Sequence, residues 1–331
     1  MAARDDRALS GEDRLIAKYF RPLARHPGAL GLGDDAAFIT PAPGTDMVLK
    51  TDAIIGGVHF FPDDPADAVA RKALRVNLSD LAAKGATPLG FLLSLALPKD
   101  IDEDWIAAFA RGLAEDAERY ACPLFGGDTD RTPGPATISI AAFGSVPEGT
   151  MVLRGGAMVG DIIVVTGSIG DAALGLKLRN GAQWKLDRVQ REHLLSRYLL
   201  PQPRNALSEA LRTNANAAMD VSDGLAGDLA KLCAASDVAA EIEVARVPLS
   251  DAAKAVLADN PNLMETVLTG GDDYEIVCAV SPGKLSAFFA AAQAAHVPVT
   301  EIGKVVAGEG AHFRAADGKK LTFAHASYSH F

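Results

Sequence analysis

Residues 136–146, ATISIAAFGSV, alternate apolar and small polar side chains; a glycine-rich crossing follows at 154–161, RGGAMVGD, and residues 162–167 resume as IIVVTG. Alternation at period two is the pattern of a half-buried strand, and a short β-branched run suits a buried one. A break of this kind between two strand signals places a domain boundary near residue 150. Upstream, DMVLKTDAII (46–55) reads as a strand. AVARKALRVNLSDLAAK (68–84) reads as a helix with Leu74, Leu78 and Leu81 on one face. PLGFLLSLALP (88–98) is expected to be a buried strand, bounded by prolines and too short to span a bilayer. WIAAFARGLAEDAERY (105–120) steps by three and four through Ile106, Phe109, Leu113, Ala117 and Tyr120, the spacing of an amphipathic helix. Beyond the crossing, helices are expected around 169–180 and 186–199. A strand ending at Met219–Asp220 and a helix carrying Leu225, Leu229 and Leu232 follow. The fold class is α/β (α+β) in two domains, 1–150 and 151–331, rather than a single barrel.

The 331 residues are 49 % apolar and 22 % charged, ample for two cores. A formal net charge of −10 with scattered Lys and Arg argues against nucleic acid or an anionic membrane as a partner. Cys122, Cys233 and Cys278 lie far apart and form no CxxC, which argues against a zinc site or a disulfide framework and fits a reducing cytoplasm. The polar N-terminus lacks the apolar core of a signal peptide. A soluble cytoplasmic protein is expected.

Aspartates recur beside Gly, Ser, Thr or Asn in six places: GLGDDAAF (31–38), KTDAIIGGVHF (50–60), NLSDLAAKG (77–85), FGGDTDR (125–131), MDVSDGL (219–225) and LTGGDDYE (268–275). One such aspartate is ordinarily a turn former or a helix N-cap. Ser222 and Asp223 would then only start the helix at Gly224, and Asp80 would be a solvated helix residue. Together the clusters ask for more. Two carboxylates about 4 Å apart repel by roughly 4 kcal/mol at a protein-surface dielectric, and few basic residues are near in sequence. A hard divalent cation with oxygen ligands supplies the missing charge, and Mg²⁺ combines a few carboxylates with phosphate oxygens and water. Glycine beside the acid lets backbone approach a bulky anion. The constellation points to several Mg²⁺ ions binding polyphosphate. Other nucleotide signatures fail. GLGDDA matches G-x-G-x-x-A, but two carboxylates would face the pyrophosphate and no clear strand precedes it. No Gly-Lys meets the Walker A conditions, and no kinase HRD/DFG pair appears.

GLGDDAA, KTDAIIGGVHF, NLSDLAAKGATP, FGGDTDR, RGGAMVGDIIVVTG, MDVSDGL, LTGGDDYE and the closing YSHF, in this order and from about residue 10 to the C-terminus, resemble the thiamine-monophosphate kinase family. That family belongs to the aminoimidazole-ribonucleotide-synthetase-like superfamily. The resemblance implies a mixed N-terminal sheet with helices that pairs across a homodimer and carries metal and ATP. It also implies a C-terminal α/β sandwich completing the phosphate and substrate site. The implied activity is ATP-dependent phosphorylation of thiamine phosphate to thiamine diphosphate, in line and without a phospho-enzyme.

Asp35, Thr51, Asp52, Asp80, Asp128, Asp220 and Asp223 are the implied Mg²⁺ ligands, with Lys50 adding its backbone carbonyl; Asp35, Asp80 and Asp220 stand nearest the chemistry. Gly127, Asp128, Arg154 and Ser222 are the implied ATP contacts, and His59, Asp272 and Tyr328 the contacts to thiamine phosphate. Residue by residue, each has a plainer reading. His59 beside two phenylalanines would be a core histidine, Tyr328 would pack the tail, and Arg154 would pair with Asp161. Three departures stand out: Lys50 where the family often has Ser, Asp272 in place of a Glu, and Ala110 where many members carry an aromatic. The rival readings are another ATP-dependent ligase or cyclase of the superfamily and a non-catalytic nucleotide-binding scaffold. Selenophosphate chemistry is disfavoured because no cysteine precedes Cys122.

Overall fold

The computed structural model describes residues 11–325 and 327, in two compact units. The first runs up to Leu78 and continues through Pro88–Glu148; the second takes Ser79–Thr87 and everything from Gly149 onward. The expected first domain therefore loses nine residues, Ser79–Thr87, to the second. The cause is local: Ala82 and Ala83 sit in an apolar cluster of the second unit with Leu207, Leu211 and Ile276.

In the first unit, α1 (Gly11–Leu15) and a run of tight turns lead to β1 (Thr45–Ile55), α2 (Ala66–Ala83), β2 (Thr87–Leu97), α3 (Glu103–Arg119), β3 (Leu124–Arg131) and β4 (Thr137–Pro147). The sheet order is β1-β4-β2-β3, antiparallel between β1 and β4 and parallel between β2 and β3. Burial alternates strictly along β4, with Ile138, Ile140, Ala142 and Val146 inward. β2 departs from the buried strand expected of it. Leu93, Leu95 and Leu97 face the core, but Leu92 on the other face is 42 % exposed, because the segment 24–39 covers that face only in part, at Phe125 and Phe143.

Helix α3 starts where Asp102 accepts the Trp105 N–H and buries Ile106, Phe109, Leu113 and Ala117. It crosses α2 closely at Gly112, where any Cβ would lie 2.3 Å from the Asp67 carbonyl oxygen. Beside that crossing the Arg75 guanidinium grips both oxygens of Asp116, at 2.5 and 2.9 Å, with the two side chains 2 % and 3 % exposed.

The second unit comprises β5 (Ile162–Thr166), α4 (Asp171–Arg179), α5 (Arg188–Leu199), α6 (Ser208–Asn214), β6 (Ala215–Val221), α7 (Leu225–Ser236), β7 (Ala239–Glu243), α8 (Asp251–Asp259), α9 (Met264–Thr269), β8 (Glu275–Val280), α10 (Pro282–Ala294), β9 (Val299–Val306) and β10 (Gly310–Arg314). Its six-stranded sheet has the order β10-β7-β9-β5-β8-β6. Apolar clusters lie on both faces. Ile163, Val165, Met219 and Val277 join Leu174 and Leu229 on one, and Val164, Ala218, Ile276 and Cys278 join Leu211 and Phe288 on the other. Continuous apolar runs such as IIVVT are what a doubly covered strand requires.

Removing one partner of a buried, bidentate ion pair strands the other charge. Asp116→Ala is expected to destabilise the first unit by about 3–5 kcal/mol, read as a fall in the urea midpoint.

Candidate active site

The first unit carries a cavity of about 590 Å³ whose wall is apolar (Phe20, Ala29, Leu32, Leu92, Phe125) and whose acids are Asp34, Asp35 and Asp128. Two backbone features build it. Leu30, Gly31 and Leu32 all take positive φ, at 51°, 62° and 53°, and turn the chain back so that Phe38 N–H reaches the Gly28 carbonyl at 3.0 Å. Beside it, β3 approaches β2 so tightly at Gly127 that a Cβ would lie 1.8 Å from the Leu93 carbonyl oxygen. Glycine is thus obligatory at 127 for strand packing, whatever else it contacts. Asp35 and Asp128 are brought to one cavity. Both are exposed, and so is Asp34. Water therefore screens the mutual repulsion of these carboxylates.

On β1, Lys50 Nζ lies 3.2 Å from Asp52 Oδ1, an ammonium partner for one of the expected ligands. Thr51 donates its hydroxyl to the Ile140 carbonyl, and the Asp52 N–H donates to Asn77 Oδ1. His59 is half-buried. Its Nδ1 accepts the Ile55 N–H at 3.0 Å and its carbonyl accepts Lys72 Nζ, so the ring closes the turn after β1.

In the second unit Asp80 sits in the last turn of α2, half-buried, and Asp220 is 5 % exposed near the end of β6. The turn after β6 is held differently from the N-cap that Ser222 and Asp223 suggested. Helix α7 begins after Gly224, which gives no side-chain cap. Asp228, one turn inside α7 and fully buried, reaches back and accepts the N–H groups of Ser222 and Asp223 at 3.0 and 2.9 Å. Lys231 Nζ then bridges Asp228 and Asp223 at 2.9 and 2.6 Å. Burial raises the Asp228 carboxyl above its ordinary range, against the pull of Lys231. Sequence reading missed Asp228; an acid six residues after Ser222 in LAGDL resembles any exposed helix aspartate.

Asp272 has φ 73° and its N–H donates to the Ser222 carbonyl at 2.8 Å, so the LTGGDDYE loop leans on the MDVSDGL turn. Arg154 is exposed in the crossing loop. Its suggested partner Asp161 instead accepts Met158 N–H and both contacts from Asn216. Ala110 is 4 % exposed on the core side of α3, so that position presents no open face to a base. Tyr328 lies outside the described residues.

Magnesium binds through one or two carboxylates with water and phosphate oxygens filling the rest of its shell, and the exposed oxygens of Asp34, Asp35 and Asp128 on one cavity fit that donor chemistry. Among the described residues no three His, Cys, Asp or Glu side chains stand close enough to form a cage by themselves.

Residues 33–146 match the family AIR synthase related protein, N-terminal domain, and residues 158–315 match AIR synthase related protein, C-terminal domain. A thiamine-monophosphate kinase of Caulobacter vibrioides is 46 % identical over 308 residues, covering 91 % of this chain and 86 % of that one. The chain belongs to the thiamine-monophosphate kinase family. The crystal structure of thiamine-monophosphate kinase from Stenotrophomonas maltophilia is 39 % identical with a TM-score of 0.82, over 93 % of this chain and 96 % of its own. AaThiL complexed with AMPPCP and TMP is 32 % identical with a TM-score of 0.77, over 90 % of this chain and 91 % of its own. Membership extends across both units, and so covers both the cavity of the first and the acidic turn of the second.

Because Asp228 answers two otherwise orphaned amides, Asp228→Ala is expected to cost about 1–3 kcal/mol in urea unfolding. Asp228→Asn, which keeps an acceptor oxygen, should lose less.

Proposed function

We propose that this chain transfers the γ-phosphoryl group of ATP to thiamine phosphate, giving thiamine diphosphate and ADP. The observation that carries the reading is similarity along almost the whole chain to thiamine-monophosphate kinases, one of them solved with AMPPCP and TMP. The second phosphate pKa of a monoester is about 6, so the acceptor oxygen is largely unprotonated at neutral pH. No general base has to be recruited. The obstacle is bringing two polyanions together.

Asp35, Asp52, Asp128 and Thr51 in the first unit, with the Lys50 carbonyl, and Asp80, Asp220 and Asp223 in the second would hold Mg²⁺. Bound there, it supplies neutralisation of phosphoryl oxygens and of the charge in a loose transition state. The protein's own part is orientation. Gly127, Asp128, Arg154 and Ser222 would bind the nucleotide, Arg154 by a guanidinium fork suited to phosphate. His59, Asp272 and Tyr328 would bind thiamine phosphate. Asp272 sets a carboxylate toward the cationic thiazolium with one methylene less reach than Glu. No activated nucleophile stands in these segments, which supports direct transfer.

A second copy of the chain fits the face of the four-stranded sheet that the segment 24–39 leaves partly open beside β1. Leu49 is 75 % exposed there and stands opposite Phe143 in register, with Leu92 nearby in the same sheet at 42 %. Three buried free thiols suit a reducing, cytoplasmic setting. No helix among the described residues is long and apolar enough to cross a membrane.

Incubation with ATP, Mg²⁺ and thiamine phosphate should yield thiamine diphosphate and ADP by mass; ATP loss indifferent to thiamine phosphate would defeat the assignment. Asp80→Asn and Asp220→Asn are expected to remain folded by circular dichroism and to lose turnover by about 100-fold. Leu49→Glu should shift the sedimenting species to half the mass; an unshifted species would remove this sheet face from the interface.

A further inference from the structure

Three loops meet at one end of the second sheet: Gly167–Gly170 after β5, Ser222–Gly224 after β6, and Gly270–Tyr274 before β8. They are packed backbone against backbone. A Cβ on Gly271 would lie 2.5 Å from the Ser222 carbonyl oxygen, and one on Gly224 would lie 2.5 Å from the Thr269 backbone. At the centre is a residue to which neither the family motif nor the proposed chemistry gives a task. Asp273 is 1 % exposed, and its Oδ2 accepts the Gly170 N–H at 2.7 Å while Oδ1 takes the Ala172 N–H at 3.4 Å. Those amides open α4, whose own N-cap is a glycine at φ 86° with no side chain to offer.

The residues flanking Asp273 are both strained. Asp272 has φ 73° and Tyr274 φ 50°, in the left-handed region where a bulky side chain is uncommon and must be held by its surroundings. Their N–H groups hold the neighbouring turn, Asp272 to the Ser222 carbonyl and Tyr274 to the Val221 carbonyl, each at 2.8 Å. A buried carboxyl thus anchors the middle of a strained loop whose two neighbours grip the segment Asp220–Asp223.

We infer that Asp273 is a positioning residue: by tying the Gly270–Tyr274 loop to the start of α4, it sets both Asp272 and the Asp220–Asp223 turn for phosphoryl transfer. The inference deepens the kinase reading and rests on it for the word phosphoryl. The tie itself does not. The Gly170 and Ala172 contacts ask of Asp273 an acceptor oxygen in a fixed place, and burial pushes its carboxyl well above the ordinary carboxylate range.

The test compares Asp273→Asn with Asp273→Ala in the full-length chain, by steady-state kinetics with both substrates and by amide hydrogen exchange without any. Asparagine keeps an acceptor toward Gly170. It should retain kcat within about threefold, and alanine should lose about 10- to 100-fold at temperatures where it is fully folded. Exchange protection at the Asp272 and Tyr274 amides should survive in Asp273→Asn and fall in Asp273→Ala. A folded Asp273→Asn with turnover down more than tenfold overturns the inference, as does unchanged protection in a folded Asp273→Ala. Should alanine not fold, the asparagine variant decides alone. If even the unmutated chain fails to phosphorylate thiamine phosphate, the kinase reading falls while the exchange pattern still judges the tie.

Discussion

Glu275, the first residue of β8, has no exposed surface, yet its carboxylate is surrounded by donors: Arg197 Nη2 at 2.7 Å, Arg204 Nε at 2.6 Å and Thr166 Oγ1 at 2.6 Å. Thr166 in turn accepts the Ile276 N–H at 2.8 Å, and Arg197 also reaches the Asp273 carbonyl. Gly167 lies so near that a Cβ would come within 2.1 Å of Glu275 Oε1. One side chain thereby fixes the end of β5, the start of β8, helix α5 and the chain before α6. Buried charges of this kind contribute little net stability but tolerate no partial loss, because a remaining charge has nowhere to go. The Gly270–Tyr274 loop ends at this fixed point, and the turn after β6 is bonded to that loop through the Asp272 and Tyr274 N–H groups.

The acids on the first unit's cavity and those around the turn after β6 sit in different surroundings. Around the first-unit cavity the carboxylates stay in water, where repulsion is screened and a hydrated cation can exchange readily. In the second, Asp220 and Asp228 are buried, and around Asp228 the Ser222 and Asp223 N–H groups and Lys231 answer part of the charge. The lysines beside Asp52 and Asp223 have the same sense: each supplies a positive charge to its neighbouring carboxylate. Lys50 is thus more than a neutral replacement for serine. It is a resident counter-charge on β1.

What the sequence disclosed follows from local physics. Strand and helix positions were legible in IIVVT, in the alternation of β4 and in the three-four spacing of α3, because burial periodicity is a property of neighbouring residues. The acidic segments were legible too, since Asp beside Gly is visible in any order. Three things were not. The transfer of Ser79–Thr87 to the second unit depends on which core Ala82 and Ala83 fill, and alanine carries no address. The half-exposed β2 depended on which faces of the sheet are covered. Asp228, Asp273 and Glu275 looked like ordinary acids, because most of their donors come from residues five to more than a hundred positions away.

The passage of α2 into the second unit also bears on how such a chain could be divided. A polypeptide beginning at Gly149 would lack the stretch in which the Lys84 carbonyl accepts Val152 N–H, the Ala86 carbonyl accepts the Ser208 hydroxyl, and Lys84 Nζ meets the Ala218 carbonyl. Its core would open at Ala82 and Ala83. The later half is therefore not a cassette separable by one cut at Gly149, because the end of that helix belongs to its core.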